Sequence, residues 1–257
     1  MKRRYPLALL AVGLLGGTLT LNAAPAAGSK AKPSGGTTLR YLALGDSYTI
    51  GEGVEPAERW PHQLAALLAA DGLPLARTPE IIARTGWTTD ELSAAILEAK
   101  PRGPHDLVTL LIGVNDQYRG RTVEAYRPEF RRLLEAAIGF AGNRPERVVV
   151  LSIPDWGVTT FGASSERSVP GQIAREIDAF NATAKAETEK TGAAFLDVTA
   201  ETRTAGKAAG ELVGDGLHPS GRQYERWAKA ALPLAKRALE HPAAPRRQLA
   251  APGAKVK

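Results

Sequence analysis

The sequence predicts an α/β fold: a parallel sheet covered by helices on both faces, built as one domain. Apolar runs with strand character alternate with amphipathic stretches from residue 39 to residue 239, and this βαβα order calls for crossover connections and hence parallel strands. The clearest run, Val148-Val149-Val150-Leu151, is continuously apolar, as expected of a strand buried on both faces. The 257 residues, 44% hydrophobic and 23% charged, are enough for a single well-buried core.

Strands are predicted at Leu39 to Leu44, Glu80 to Ala83, Leu107 to Ile112, Arg147 to Ile153 and Ala194 to Val198. Helices are predicted between and after them, at Arg59 to Ala70, Thr89 to Ala99, Val123 to Phe140, Gly171 to Lys190 and Ser220 to Leu239. In the first helix Leu64, Leu67 and Leu68 share a face, and Pro61 suits the opening turn. Thr88-Thr89-Asp90-Glu91 reads as the start of the second, with Gly86 allowing a sharp turn just ahead of it.

The two ends differ from this domain. Lys2, Arg3 and Arg4 precede an apolar run from Leu7 to Leu21 and then the small-residue stretch Asn22-Ala23-Ala24-Pro25-Ala26-Ala27. That is the layout of a secretory signal peptide, and the run is short of the roughly 20 residues that span a bilayer. The expected organisation is a signal peptide over 1–26, a Gly/Ser/Lys/Pro linker over 27–38, the domain over 39–240 and a disordered tail over 241–257. A secreted or periplasmic protein without a lasting membrane anchor follows.

There is no cysteine, which excludes disulfides, thiolate catalysis and zinc-cysteine sites. The formal charge of +6 falls to +3 once the three basic residues of the signal are removed, and this does not support a nucleic-acid partner. No His-x-x-x-His spacing suggests a metal, and no cofactor is expected. His62, His105 and His241 read as surface residues.

Chemistry gathers at the carboxyl ends of the predicted strands, where open parallel sheets bind ligands. The first strand runs into Gly45-Asp46-Ser47-Tyr48, which puts a serine on the turn that follows. The third ends in Gly113-Val114-Asn115-Asp116, bringing an amide donor to the same edge, suited to charge developing on a carbonyl oxygen. Asp215-Gly216-Leu217-His218-Pro219 lies on a loop before the last helix. Its histidine is a ready acceptor for a serine proton, and Asp215 is placed to hold the imidazole from the other nitrogen.

These blocks, with Gly86 after the second strand, match in order the four signature blocks of the SGNH/GDSL hydrolases, which the chain resembles from about Leu39 to Leu239. The resemblance implies a flavodoxin-like three-layer α/β/α sandwich with a central five-stranded parallel sheet. It also implies Ser47 as nucleophile, His218 as its base and Asp215 as the residue that orients His218. The oxyanion hole is then the backbone N–H groups of Ser47 and Gly86 with the side chain of Asn115. Tyr48 stands where the family's name has leucine, a position without a catalytic group. Thr49 occupies the second glycine position of the Gly-x-Ser-x-Gly elbow, so the α/β-hydrolase turn is not present here.

Asp46 and Asp116 read as structural hydrogen-bonding groups, and Trp60 as helix packing. Trp156 and Phe161 leave the end of the strongest strand and either line the acyl or alcohol pocket or pack that loop onto the sheet. The expected activity is hydrolysis of small or medium acyl esters, of small molecules, lipids or glycans, through an acyl-enzyme. The alternatives are a carbohydrate or peptidoglycan O-deacetylase using the same residues, and a non-catalytic glycan-binding module. A mechanism through neutral His218 predicts activity that falls in acid, with a midpoint in the ordinary histidine range of about 6 to 7.

Overall fold

Five strands form one parallel sheet: β1 (Tyr41–Gly45), β2 (Glu80–Ala83), β3 (Leu107–Leu111), β4 (Val148–Leu151) and β5 (Ala194–Leu196), in the spatial order β2-β1-β3-β4-β5. A computed structural model describes residues 39–165, 169 and 171–240. The predicted signal peptide, the linker and the tail with His241 lie outside the described residues.

The helices are α1 (Ser47–Ile50), α2 (Trp60–Ala70), α3 (Thr89–Ala99), α4 (Val114–Tyr118), α5 (Val123–Phe140), α6 (Thr160–Ser164), α7 (Gln172–Thr191), α8 (Thr199–Ala205) and α9 (Gly221–Glu240). α2 and α9 pack together on one face of the sheet, while α3, α5 and α7 form the layer on the other. The three-layer sandwich expected from the sequence is therefore present. Among the described residues no helix is long and apolar enough to cross a membrane.

The core follows from the strand composition. Every residue of β1, β3 and β4 is buried, and full burial of each Val or Leu side chain is worth about 1.5–3 kcal/mol. Helix boundaries lie where local chemistry puts them: Thr88 and Glu91 form a capping box at the start of α3, and the Thr122 hydroxyl accepts from the Ala125 N–H to cap α5.

The five long helices fall within a residue or two of their predicted spans, but α1, α4, α6 and α8 are additions. They have four to seven residues, too few to display a helical hydrophobic period. His105 is a correction. Expected at the surface, it is only 1% exposed, because the chain enters β3 beneath Arg40 and against Glu80, whose Oε2 lies 3.3 Å from His105 Nε2. His62 is half-buried on α2.

At the end of β1 the backbone passes very close to β3. Gly45 is in register with Leu111, and a Cβ at Gly45 would sit 2.5 Å from the Leu111 carbonyl oxygen, so only glycine fits. Asp46 then caps α1, its Oδ1 accepting from the Tyr48 N–H at 3.1 Å. The other oxygen, Oδ2, is buried without a hydrogen-bond partner among the described residues.

Burial, more than any neighbour, pushes the Asp46 carboxyl from 3.8 up to about 8. The folded state thus holds this proton more tightly than the unfolded chain does. Asp46 supports folding below about pH 4 and withdraws that support as the pH rises through about 8. Asp46→Asn keeps the cap and removes the titration, so its melting temperature relative to the unsubstituted protein rises between about pH 4 and pH 8. Thermal melts of both proteins across that interval check this, and a difference that is independent of pH rejects it.

Candidate active site

The strand order places a switch point between β1 and β3: the chain leaves β1 toward β2 on one side and returns to β3 on the other. Connections part there, and a crevice opens beyond the carboxyl ends of the strands. A pocket of about 220 Å³ lies at this edge. Ser47, Gly86, Asn115 and His218, from four separate segments, all line it.

Ser47 is the first residue of α1, 4% exposed. Its segment is clamped from below: Trp60, fully buried at the start of α2, donates its indole N–H to the Tyr48 carbonyl at 3.1 Å. The Tyr48 ring lies 5.5 Å from the His218 ring and 6.2 Å from that of Trp227. The tyrosine that departs from the family's leucine thus forms the floor under the imidazole.

His218 is held by its own loop. Asp215 Oδ1 accepts from the backbone N–H of Leu217 at 2.8 Å and of His218 at 3.0 Å, which folds the chain back on itself. Its Oδ2 meets His218 Nδ1 at 2.6 Å, a charge-assisted distance. One carboxylate therefore shapes the turn and fixes the ring, leaving Nε2 as the nitrogen available to the pocket. Burial works to raise the Asp215 carboxyl, but the hydrogen bonds from the His218 ring and the two backbone N–H groups outweigh it and hold the group below its ordinary value.

Gly86 adopts φ +87°, a backbone region that side chains other than glycine rarely occupy. Its loop is gripped by α4 at two successive carbonyls: Asn115 Nδ2 donates to Trp87 O at 2.9 Å, and Arg119 donates to Gly86 O at 2.7 Å. Asn115 and Arg119 are four residues apart and so share a helix face. An amide nitrogen carries two hydrogens, so Asn115 can be anchored by one and present the other to the pocket. Arg119 was not singled out in the sequence, where only its spacing from Asn115 could have drawn notice. Its guanidinium also reaches Glu91 at 3.3 Å.

Trp156 and Phe161 both line the pocket, with Val114, Tyr118 and Leu217. Trp156 also packs the loop, the second of the two expected roles: it is 2% exposed and donates its indole N–H to Gln117 Oε1 at 2.8 Å. Its ring lies 5.5 Å from that of Tyr118 and 6.0 Å from that of Phe161. Asp116 stands behind the pocket and not in it. It accepts from the Thr89 N–H and hydroxyl at 3.0 and 2.8 Å and pairs with Arg121 at 3.2 Å, tying α3 to α4. Among the described residues no group of His, Asp or Glu could hold a metal ion.

The GDSL-like lipase/acylhydrolase family matches the chain over residues 43–226, a span that contains Ser47, Gly86, Asn115, Asp215 and His218. No curated protein matches it. Among solved structures, TesA is similar at TM-score 0.58 and 21% identity, covering 78% of this chain and 99% of its own. A lipase/acylhydrolase from Enterococcus faecalis gives 0.57 and 24%, covering 80% and 100%. The acetylxylan esterase Axe2 from Geobacillus stearothermophilus gives 0.56 and 20%, covering 77% and 94%. At these identities the likeness is one of fold. The family match spans most of the chain, and it establishes that this protein belongs to the GDSL-like lipase/acylhydrolase family and is a hydrolase of the esterase type.

Proposed function

We propose that the protein hydrolyses carboxylic esters of small to medium acyl chains through an acyl-enzyme on Ser47. The observation that carries this reading is the single pocket shared by Ser47, Gly86, Asn115 and His218, with His218 Nδ1 held by Asp215 at 2.6 Å.

In the proposed reaction Ser47 Oγ attacks the acyl carbon as His218 Nε2 takes its proton. The tetrahedral oxyanion is met by the backbone N–H groups of Ser47 and Gly86 and by the Asn115 amide. His218 gives the proton to the leaving alcohol, and Ser47 keeps the acyl group. Water then attacks this ester, losing its proton to His218, and His218 returns that proton to Ser47 Oγ as the acid leaves. Asp215 stabilises the imidazolium that forms in each step. Arg119 positions the oxyanion hole through Gly86 without touching the substrate.

Pocket size supports the acyl range. A cavity of about 220 Å³ is small, and its walls are mainly aromatic and aliphatic. The N-terminal basic, apolar and small-residue pattern supports export. The O-deacetylase reading is favoured by one feature only, Tyr118, a rim aromatic that is 42% exposed and able to stack on a sugar ring.

Against a series of p-nitrophenyl esters, turnover is expected to peak between butanoate and octanoate and to be negligible for palmitate. A peak at acetate, with release of acetate from acetylated xylan, favours the deacetylase. Ser47→Ala abolishes turnover, and Asn115→Ala lowers kcat by about 10²–10³, worth about 3–4 kcal/mol. Normal kcat in a folded Asn115→Ala variant overturns the oxyanion assignment. Arg119→Ala is expected to lower kcat by about tenfold with KM little changed, the pattern of an interaction that acts on the transition state.

The pH dependence follows from the sign of the Asp215 shift. A carboxyl held below its ordinary value stays ionised throughout the neutral and mildly acid range, so its own protonation does not produce the acid loss of activity. Asp215→Asn removes the charge that favours the imidazolium. The rate of this variant is expected to fall at every pH where the unsubstituted enzyme is active, and an unchanged rate counts against the pair.

A further inference from the structure

A second cavity, of about 410 Å³, opens at the opposite edge of the sheet, where β1, β2 and β3 begin. Strands of five residues at about 3.3 Å each separate it from the catalytic pocket by about 17 Å, so it takes no part in the proposed reaction. Three arginines, Arg40, Arg77 and Arg102, line it, with Thr78, Glu80 and His105.

Charge in this cavity is unbalanced. Among the described residues its one carboxylate, Glu80, faces His105 and not a guanidinium. Arg40 donates to the Pro104 carbonyl at 3.5 Å and to the Arg102 carbonyl. Those bonds fix the guanidinium in place without neutralising it. Arg77 and Arg102 are exposed, and neither has an ion-pair partner among the described residues.

His105 adds a second kind of signal. It is 1% exposed, and its Nδ1 is buried with no hydrogen-bond partner among the described residues, a costly state for a polar atom. Burial, the largest influence, lowers its affinity for a proton below the ordinary histidine value, so the ring adds a polar wall and not a charge to the cavity. The cavity wall thus combines guanidinium forks, which match the geometry of phosphate and carboxylate, with a hydroxyl and an imidazole. Its volume of about 410 Å³ is ample for a hexose carrying one acidic group.

We propose that this cavity is a binding site for a small, hydroxyl-bearing organic oxyanion, a phosphate monoester or carboxylate of sugar size, held by Arg40, Arg77 and Arg102. The acidic group lies between the guanidiniums, and the body of the ligand lies toward Thr78 and His105. The site stands independently of the esterase reading.

Calorimetric titration of the full chain with glucose 6-phosphate, glucuronate and uncharged glucose tests it. At least one anionic sugar is expected to bind, with affinity falling as NaCl is raised, and glucose is expected not to bind. The stronger of the two anions tells phosphate from carboxylate. Arg77→Ala with Arg102→Ala, both exposed positions, is expected to weaken binding at least tenfold and leave the ester hydrolysis rate and melting temperature unchanged. Each single substitution weakens binding severalfold, which provides the same test if the double variant fails to fold. Absence of binding by both anions, equal affinity in the substituted proteins, or glucose binding as tightly as its phosphate overturns the proposal.

Discussion

The parallel pairing of β1 with β3 is the constraint from which the candidate active site hangs. Gly45 lies in register with Leu111, and the two backbones approach so closely that a methyl group between them would not fit. This contact sets Ser47, two residues beyond one strand, beside Asn115, four beyond the other. The remaining parts are brought in by tethers to that fixed pair. Trp60 holds the backbone at Tyr48, Asn115 and Arg119 hold the Gly86 loop, and the Tyr48 ring supports His218.

Polar groups at this edge divide by environment. Asp215 is partly exposed and richly hydrogen-bonded, and its charge is favoured. Asp46, one residue before the serine, is fully buried with one oxygen unpaired, and its proton is favoured. Two aspartates at this edge of the sheet thus have opposite tendencies, and the one that contacts the imidazole is the one whose charge is favoured. The aspartate nearer the serine in sequence is the one unsuited to partner the histidine.

Legibility in the sequence follows the range of the interactions. Strands and long helices were readable because their hydrophobic patterns are local and repeated, and the motif residues because each block is contiguous. Asp215 and His218 interact three residues apart, and so their pairing was readable too. Arg119 was not, since its contact with Gly86 spans 33 residues and depends on α4, a helix of five residues with no period to detect. The burial of His105 escaped for a related reason: Glu80 and Arg40 converge on it only after β2 and β1 are laid beside β3. The two roles of Trp156 were both foreseeable, but their combination rests on Gln117, 39 residues away.

The backbone bond from the Phe161 N–H to the Gly216 carbonyl, at 2.9 Å, joins a wall of the pocket to the loop that carries Asp215 and His218. Phe161 belongs to α6, and Gly216 sits between the aspartate and the histidine. Reshaping the pocket by moving α6 therefore also pulls on the turn that aims the imidazole. Under the proposed mechanism, a displacement of α6 that reshapes the pocket is transmitted through this one bond to the turn holding His218, so substrate range and turnover would shift together.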